Sequence, residues 1–395
     1  MFAELSLFPA TPEQVIESRR RTWKQWGAGL SEEEYLYRDA VNDLHEIARE
    51  GKLITWVLAP RNNPQTTNFL CSCETFRRVG LAVRASLDAK SEPPVEEVTC
   101  YGIASVFTPP SNRKRGYARH MMQLLHWVLA PESFSSEKFP EEWGAPPENV
   151  ENAGKAAFSV LYSDISNFYY TCGPTLNDEG WTIREPISTI FDVVEYTTRH
   201  TEAVPEEVNQ QWYWLNDKDV LPLWNVDAGK IKSEIGIMSN GTPSFTFLPN
   251  QGVAEFQHLR QQPFWEKMVL RPQHWGISSS APGDTNVTTF ATWTLEVRPP
   301  TPKTLIITRI RASKTEFSRL LSKIMEHAAR SGMQKVEIWN TPKDLEPTAT
   351  RLGAKIFERE EHLPAFKWYG KDDLFNVQWL LNEKSVIELL NATYF

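Results

Sequence analysis

A strand, a short basic loop and a helix follow one another between residues 98 and 129, and this unit constrains the fold most strongly. The apolar run at 98–107 has the length and composition of a buried strand. Pro109 and Pro110 end that run, because proline cannot donate to a β ladder. Apolar side chains then recur at three- and four-residue spacing over 118–129, which indicates an amphipathic helix. A strand that feeds a helix in this way is typical of α/β folds.

The elements around this unit predict a mixed sheet that occurs twice in the chain. Further strands are predicted at 53–59 and 67–76, before the strand at 98–107. The second half shows a similar succession of strand, strand, helix, strand, helix and strand, detected by pattern and not by residue identity. We therefore predict an α/β (mixed-sheet α+β) architecture with one domain at 1–200 and a second, related domain at 201–395.

Two helices are predicted near the N-terminus from their capping signals. Thr11 and Ser31 each begin a capping box, in which a side chain at the helix start and a Glu or Gln three residues later bond each other's backbone. Apolar residues continue along one face of the second helix as far as Ala48. Gly51 is a suitable C-cap, so this helix is expected to end there.

Composition and charge exclude several classes of function. The net charge of −8 argues against a nucleic-acid-binding protein, which usually has a basic face. No apolar stretch approaches the roughly 18 residues of a membrane helix. The N-terminus lacks the basic and long apolar regions of a secretion signal. The four cysteines read as reduced core thiols rather than as a metal site. We expect a cytoplasmic protein with no metal, nucleic-acid or membrane partner.

The basic loop is predicted to bind a phosphate group. The first turn of a helix leaves backbone N–H groups unpaired, and the helix dipole favours an anion there. Gly116 lets a phosphate approach the backbone because it has no Cβ, and basic side chains can close over the anion. The end of the strand leaves main-chain groups free for an extended ligand. The predicted binding residues are Val106, Phe107, Thr108, Arg113, Lys114, Arg115, Gly116, Tyr117 and Ala118. The alternative is a solvated basic helix face.

The loop resembles the pyrophosphate-binding loop of the GNAT acetyltransferases. Arg113 to Ala118 match the pattern Arg/Gln-x-x-Gly-x-Gly/Ala that this superfamily places between a strand and a helix. The resemblance implies a GNAT fold, with acetyl-CoA as cosubstrate and transfer of an acetyl group to an amine.

A second match lies at Tyr169-x-x-x-Gly173, just after a predicted strand at 157–162. In GNAT enzymes the tyrosine of such a helix points at the thioester sulfur, so the resemblance makes Tyr169 a candidate general acid. The alternative is that Tyr169 packs in the core, although Tyr170 is expected to be the core residue of the two. The match departs from the family pattern at Pro174, where an aromatic residue often follows the glycine.

The second half shows the fold pattern without the binding loop. No glycine occurs between Gly283 and Gly332, so a second acetyl-CoA site is not expected and this half is predicted to shape the substrate pocket. The two-part layout, with "HLPAFKWYG" near the end, resembles the fungal L-lysine ε-acetyltransferases that begin lysine degradation. That resemblance implies free L-lysine as the small-molecule substrate. A protein-lysine, aminoglycoside or polyamine acetyltransferase and a non-catalytic CoA-binding scaffold are the alternatives.

An amine acetyltransferase must remove a proton from its substrate. The lysine ε-amine has an ordinary pKa of about 10.4, so a base or a water chain is needed at neutral pH. A backbone N–H near Phe107 is the GNAT expectation for the oxyanion. No internal carboxylate stands out as the base. Some bi-lobed relatives use the terminal carboxylate, which makes Phe395 a candidate; the alternative is that the tail packs on the surface or at a dimer contact.

Overall fold

The computed structural model describes residues 2–27, 29–84, 93–200, 211–268, 271–298, 300–372 and 374–384. The first half contains β1 (Leu5–Pro9), α1 (Pro12–Trp26), α2 (Glu32–Asn42), β2 (Leu53–Pro60), β3 (Cys71–Val83), β4 (Val95–Phe107), α3 (Tyr117–Leu129), β5 (Phe158–Ser163), β6 (Thr182–Ile183), β7 (Ile187–Asp192) and α4 (Val193–Arg199). The second half contains β8 (Tyr213–Leu215), α5 (Asp217–Met238), β9 (Ser244–Phe247), α6 (Glu255–Trp265), β10 (Gly276–Ser278), β11 (Phe290–Glu296), β12 (Thr304–Arg311), α7 (Lys314–Arg330), β13 (Lys335–Trp339), α8 (Glu346–Arg351), β14 (Lys355–Glu358), β15 (Leu363–Trp368) and β16 (Gln378–Trp379).

These strands form two mixed sheets, which confirms the predicted fold class. One sheet has the order β1-β2-β3-β4-β5-β15-β6, with β9 paired to β3 and β16 paired to β9. The other has the order β14-β7-β13-β12-β11-β10-β8. In each sheet one helix connects two parallel strands: α3 joins β4 to β5, and α7 joins β12 to β13. The predicted repeat is therefore visible as two equivalent strand–helix–strand units.

The two sheets exchange strands across residue 200. Strand β7 precedes that residue but pairs with β13 and β14 in the second sheet. Strand β15 follows it but pairs with β5 and β6 in the first sheet. The domain division predicted at 200 and 201 thus does not coincide with the sheets, and a cut there would remove strands from both.

The N-terminal helices begin as the capping signals predict, but the second ends early. Thr11 and Ser31 both form complete capping boxes. Helix α2 ends at Asn42, so the prediction that it continues to Gly51 was wrong. Residues 43–51 form turns instead. The apolar spacing there reflects packing of Ala48 in a small cluster with residues from β3, β4 and α6, and tertiary burial has overridden the helical pattern.

A buried ion network joins α5, β12 and the segment after β16. Arg309 Nε lies 2.6 Å from Asp227 Oδ2, and its Nη1 lies 2.6 Å from Glu383 Oε1. Arg311 adds a contact of 2.9 Å to Asp227 and one of 2.7 Å to Glu234. Burial opposes ionisation of Asp227, but the neighbouring Arg309 guanidinium brings the pKa of this carboxyl below its ordinary value. The network fixes the last described segment of the chain against the second sheet.

Replacing Asp227 by Asn should strongly destabilise the fold, because it leaves the buried Arg309 guanidinium partly uncompensated. We expect the free energy of unfolding, measured by urea denaturation, to fall by about 3–5 kcal/mol. Glu32→Gln is the matched control, since its ion pair with Arg20 is exposed and should contribute about 0–1 kcal/mol. Equal effects of the two substitutions would contradict the importance of the network.

Candidate active site

The site begins where β4 and β5 separate. Their parallel pairing runs from Cys100 opposite Phe158 to Gly102 opposite Val160. Both strands continue, yet in the described part of the chain no pairing joins 103–107 to 161–163. The facing backbone groups of these two segments are consequently not used by a ladder between them and can bond an extended ligand. We call the space between the two segments the β4–β5 opening.

A β-bulge lies on the β4 side of this opening. Ser72 pairs with Phe107 and Glu74 pairs with Ala104, so β4 carries one more residue than β3 between these pairs. Ser105 lies within the bulge and has a φ of 53°, a left-handed conformation that is uncommon for residues other than glycine. Bulges re-aim side chains and occur often beside active sites. This one turns backbone groups of β4 out of the regular ladder.

The predicted phosphate-binding loop lies at the end of β4, at the N-terminus of α3. Gly116 is the N-cap of α3 with a φ of 81°, and no side chain caps the first turn. Lys114 and Arg115 are exposed beside it. Arg113 Nε donates to the Thr108 carbonyl oxygen at 3.1 Å, which holds the loop against the end of the strand. The loop therefore has the uncapped helix end, the left-handed glycine and the basic side chains that an anion requires.

The other residues predicted for this site are placed mainly by packing. The ring of Phe107 is buried against Trp26, with ring centroids 5.7 Å apart. Tyr117 is buried with its ring edge against Phe2. Thr108 is also buried, whereas Val106 and Ala118 are partly exposed. Because both rings are buried, a ligand would contact Phe107 or Tyr117 through the main chain. For Phe107 this is the type of contact predicted for the end of the strand.

Tyr169 lies in a short 3-10 helix that follows β5. Its ring is buried against Phe168 and Trp181. Burial, followed by the nearby Cys172 thiol, raises the pKa of Tyr169 well above its ordinary value, so the hydroxyl carries its proton at neutral pH. The expectation that Tyr170 is the core residue was wrong, since Tyr170 is partly exposed and donates to Glu179. The acid role of Tyr169 stays a prediction, and Phe395 lies outside the described residues.

A charged pocket lies beside the bulge, enclosed by α1, α2, β3 and α6. We call it the bulge pocket and define it by Asp39, Glu74, Ser105, Phe256 and Arg260. Two arginines beside the pocket already form ion pairs. Arg19 lies 2.7 Å from Asp43, and Arg38 lies 2.6 Å from Asp39. Within the described residues, Glu74 and Arg260 form no ion pair of their own. The pocket therefore presents one carboxylate and one guanidinium to a ligand.

Glu74 has the properties of a general base. It is half-buried, and its Oε2 accepts a hydrogen bond of 2.5 Å from the Ser105 hydroxyl. Burial raises the pKa of Glu74 above its ordinary 4.5, although Arg19 and the Ser105 hydrogen bond oppose the change. A carboxylate with a raised pKa accepts a proton more readily near neutral pH. The sequence signal that identifies Glu74 is a single charge inside the strand run "CSCETF", which is otherwise uncharged.

The equivalent helix start in the second half differs from the one at Gly116. Helix α7 begins after Ser313, whose side chain accepts from the backbone N–H of Glu316. An acidic residue thus occupies the first turn, and the cap already satisfies one N–H group. The start of α3 at Gly116, by contrast, has no side-chain cap.

The described residues contain no helix with the length and apolar character of a membrane span. Nor do they bring together three or more His, Cys, Asp or Glu side chains in an arrangement that would hold a metal ion.

Replacing Gly116 by Val should weaken acetyl-CoA binding. The new Cβ would lie 3.1 Å from the Phe2 ring, on a backbone with positive φ, at the point where the anion must approach. Losing even one charge-assisted hydrogen bond of about 1.5–3 kcal/mol should raise the Kd by about tenfold or more. Calorimetry measures this directly.

The control is Gly241→Val, at an exposed turn with a φ of 76° and no atom near the new Cβ. It imposes similar backbone strain away from the site and should leave the Kd unchanged. Unaltered binding by the Gly116 variant would refute the assignment of the loop.

Known proteins resemble this chain in sequence and in fold. Residues 196–387 match the family model described as the LYC1 GNAT-like C-terminal domain. A protein named lysine acetyltransferase from Yarrowia lipolytica is 22% identical over 358 residues, which cover 85% of this chain and 84% of the relative.

Two solved structures share the fold. A GCN5-related N-acetyltransferase from Anabaena variabilis has a TM-score of 0.52 at 12% identity, covering 93% of this chain and 73% of that protein. A probable N-acyltransferase from Enterococcus faecalis has a TM-score of 0.51 at 10% identity, covering 92% and 73%. At these identities the likeness concerns the fold alone.

Proposed function

We propose that this chain, whose residues 196–387 match the LYC1 GNAT-like C-terminal domain, is a GNAT acyltransferase that transfers the acetyl group of acetyl-CoA to the ε-amino group of free L-lysine. The observation that carries the proposal is the position of Glu74, a half-buried carboxylate hydrogen-bonded to the bulge of β4. The name of the Yarrowia relative supports the choice of lysine. In this proposal the chain catalyses the first step of lysine degradation, and it does so in the cytoplasm.

The cosubstrate would be held by the α3 N-terminus and the β4–β5 opening. Lys114, Arg115 and the backbone around Gly116 would bind the pyrophosphate, because they supply positive charge and free N–H groups. The strand edge beyond Gly102 would pair with the extended pantetheine arm. The acetyl group would then lie near the Ser105 bulge, on the side where Glu74 faces the bulge pocket.

Glu74 would remove the proton that keeps lysine from reacting. The ε-amine has an ordinary pKa of about 10.4 and is almost wholly protonated at pH 7. Glu74 accepts that proton directly or through one water molecule. Its raised pKa narrows the difference between the pKa of the carboxyl and that of the amine. The lysine methylenes would contact Phe76 and Phe256, which pack together in the pocket wall with ring centroids 5.4 Å apart.

The free amine would then attack the thioester carbonyl carbon, so that a C–N bond forms and the C–S bond breaks. A backbone N–H of the bulge near Phe107 would donate to the oxyanion. Of the two protons that the ammonium loses on becoming an amide, Glu74 passes one to solvent. Tyr169 would give its proton to the departing thiolate as the C–S bond breaks and would then recover the second proton from the product nitrogen. Burial raises the pKa of Tyr169, which keeps the phenol protonated before the transfer and favours its return to the neutral form.

The substrate is tested by release of the CoA thiol from acetyl-CoA in the presence of four amines. L-Lysine, a histone-tail peptide, spermidine and an aminoglycoside should be compared side by side. We expect release with L-lysine at a kcat/KM well above those of the other three. Preferential release with the peptide, the polyamine or the drug would replace free lysine by that substrate, and tight acetyl-CoA binding without any release would favour a non-catalytic scaffold.

Glu74→Gln should lower kcat/KM by about 10²–10³, because a general base contributes roughly this factor. The base must be unprotonated, so activity of the native chain should fall as the pH drops through the raised pKa of Glu74, that is, above 4.5. A pH profile of kcat/KM checks this. The Gln variant should lose the acidic limb of the profile, that is, the fall in kcat/KM at low pH. Glu33→Gln, at an exposed position on α2, is the control and should keep the native profile. A Glu74→Gln variant with native rates would exclude Glu74 as the base.

Ser105→Gly should move the acidic limb to higher pH. The Ser105 hydroxyl lowers the pKa of Glu74 by its hydrogen bond, so losing it raises that pKa further. Glycine also relieves the left-handed φ of 53°, whereas Ser105→Ala loses the same hydroxyl and keeps the strain. The Ala variant should therefore be less stable than the Gly variant by about 1 kcal/mol. Identical pH profiles for all three proteins would show that Ser105 does not act on the base.

A further inference from the structure

Arg78 on β3 carries a buried charge that the described part of the chain leaves without a partner. The residue is 6% exposed. None of its three guanidinium nitrogens, Nε, Nη1 and Nη2, has a hydrogen-bond partner among the described residues. An isolated buried cation costs several kcal/mol unless an anion or a set of acceptors compensates it. Such a group marks a place where a ligand supplies the missing acceptor.

The surroundings of Arg78 are apolar or neutral. The guanidinium lies over the Phe247 ring, 5.4 Å from its centroid. Burial lowers the pKa of Arg78 to about 10, and among the described residues the shift is opposed by Cys100 and Tyr162, which are uncharged at neutral pH. Burial raises the pKa of the Cys100 thiol, so it does not supply a thiolate. By contrast, Arg309 is held by two buried carboxylates.

Arg78 shares one face of β3 with Glu74. The two are four residues apart, so both side chains point to the same side of the sheet, with Cα atoms about 13 Å apart at ~3.3 Å per residue. Glu74 pairs with Ala104 at the bulge, and Phe76, between them, pairs with Gly102. A Cβ built on Gly102 would lie 3.2 Å from Arg78 Nη2, so the guanidinium covers this glycine. Gly102 is also the last residue of β4 that pairs with β5, which places Arg78 at the closed end of the β4–β5 opening.

We propose that Arg78 binds the carboxylate of an amino-acid substrate whose distant amine is presented to Glu74. A guanidinium pairs with a carboxylate through two parallel N–H···O bonds, and these would satisfy nitrogens that are otherwise unpaired. The spacing of the two charged groups along β3 suits a ligand with an anionic head and a cationic end separated by a methylene chain. The inference rests on the proposed function and adds the group that distinguishes an amino acid from a simple diamine.

Arg260 is the competing candidate and provides a matched control. It lines the bulge pocket and also has a pKa lowered by burial to about 10. Its environment differs, because the nearby carboxylates of Asp39 and Glu74 both oppose that shift. Nearby carboxylates therefore partly compensate Arg260, whereas the groups that act on Arg78 within the described residues carry no negative charge.

The test compares Arg78→Met and Arg260→Met with the native chain on two substrates. L-Lysine carries the carboxylate, and 1,5-diaminopentane has the same methylene chain and amine without it. Arg78→Met should lower kcat/KM for L-lysine by about 10²-fold. It should change kcat/KM for the diamine by less than about threefold and leave the Kd of acetyl-CoA unchanged. Arg260→Met should affect both substrates to a similar extent.

Thermal unfolding supplies a second readout that a purely structural role would not produce. Without substrate, Arg78→Met should melt at the native temperature or above, because it removes an uncompensated buried charge. Excess L-lysine should raise the Tm of the native chain but not that of the variant.

Three results would overturn the inference. If Arg78→Met lowered kcat/KM equally for lysine and the diamine, Arg78 would not be the carboxylate site. The proposal that the native chain acetylates lysine would still stand. A marked loss of stability in substrate-free Arg78→Met would show that a group of the chain itself pairs with the arginine. A native chain that acetylates no amino acid would overturn the proposed function together with the inference.

Discussion

The separation of β4 from β5 after Gly102 is the constraint on which the rest of the site depends. Two adjacent parallel strands that stay paired offer no free backbone to a ligand. Here the pairing stops while both strands continue, and a bulge at Ser105 turns the edge of β4 outward. The helix end that begins at Gly116 lies beyond one end of the opening, and the carboxylate of Glu74 faces the bulge. In the proposed mechanism the cosubstrate lies along the opening, and Glu74 activates the amine from the bulge pocket beside it.

The two halves contain the same strand–helix–strand unit with different groups at the start of its helix. In the first half, α3 starts at an uncapped glycine and its basic neighbours face solvent. In the second, Ser313 caps α7, and the arginines at the end of β12 are held in buried ion pairs with Asp227. In the second unit these ion pairs fix α5 and the last described segment. Its helix α6 still contributes Phe256 and Arg260 to the pocket beside the bulge.

The features that sequence predicts well here are local. The strand before Pro109, the amphipathic helix after Gly116 and both capping boxes depend on neighbouring residues, and all appear in the structure. The early end of α2 was missed because Ile47 and Ala48, which follow Asn42, pack in a cluster with Phe256 of α6, far along the chain.

The proposed roles of Glu74 and Arg78 also escaped sequence analysis, for a related reason. Their environments arise from the register of β3 against β4 and from helices that pack over that face. A charged residue in a strand pattern reads as solvent-exposed until the covering elements are known. The exchange of β7 and β15 between sheets is likewise a property of long-range pairing, and no local pattern encodes it.

Amide hydrogen exchange with and without acetyl-CoA tests most directly whether the β4–β5 opening and the α3 N-terminus form one cosubstrate site. We predict that acetyl-CoA binding slows amide exchange in 103–107 and 113–119. Exchange should not change in the equivalent unit of the second half, which comprises β12 and the start of α7. Protection of β12 and α7, or tight binding without protection of 113–119, would contradict this prediction.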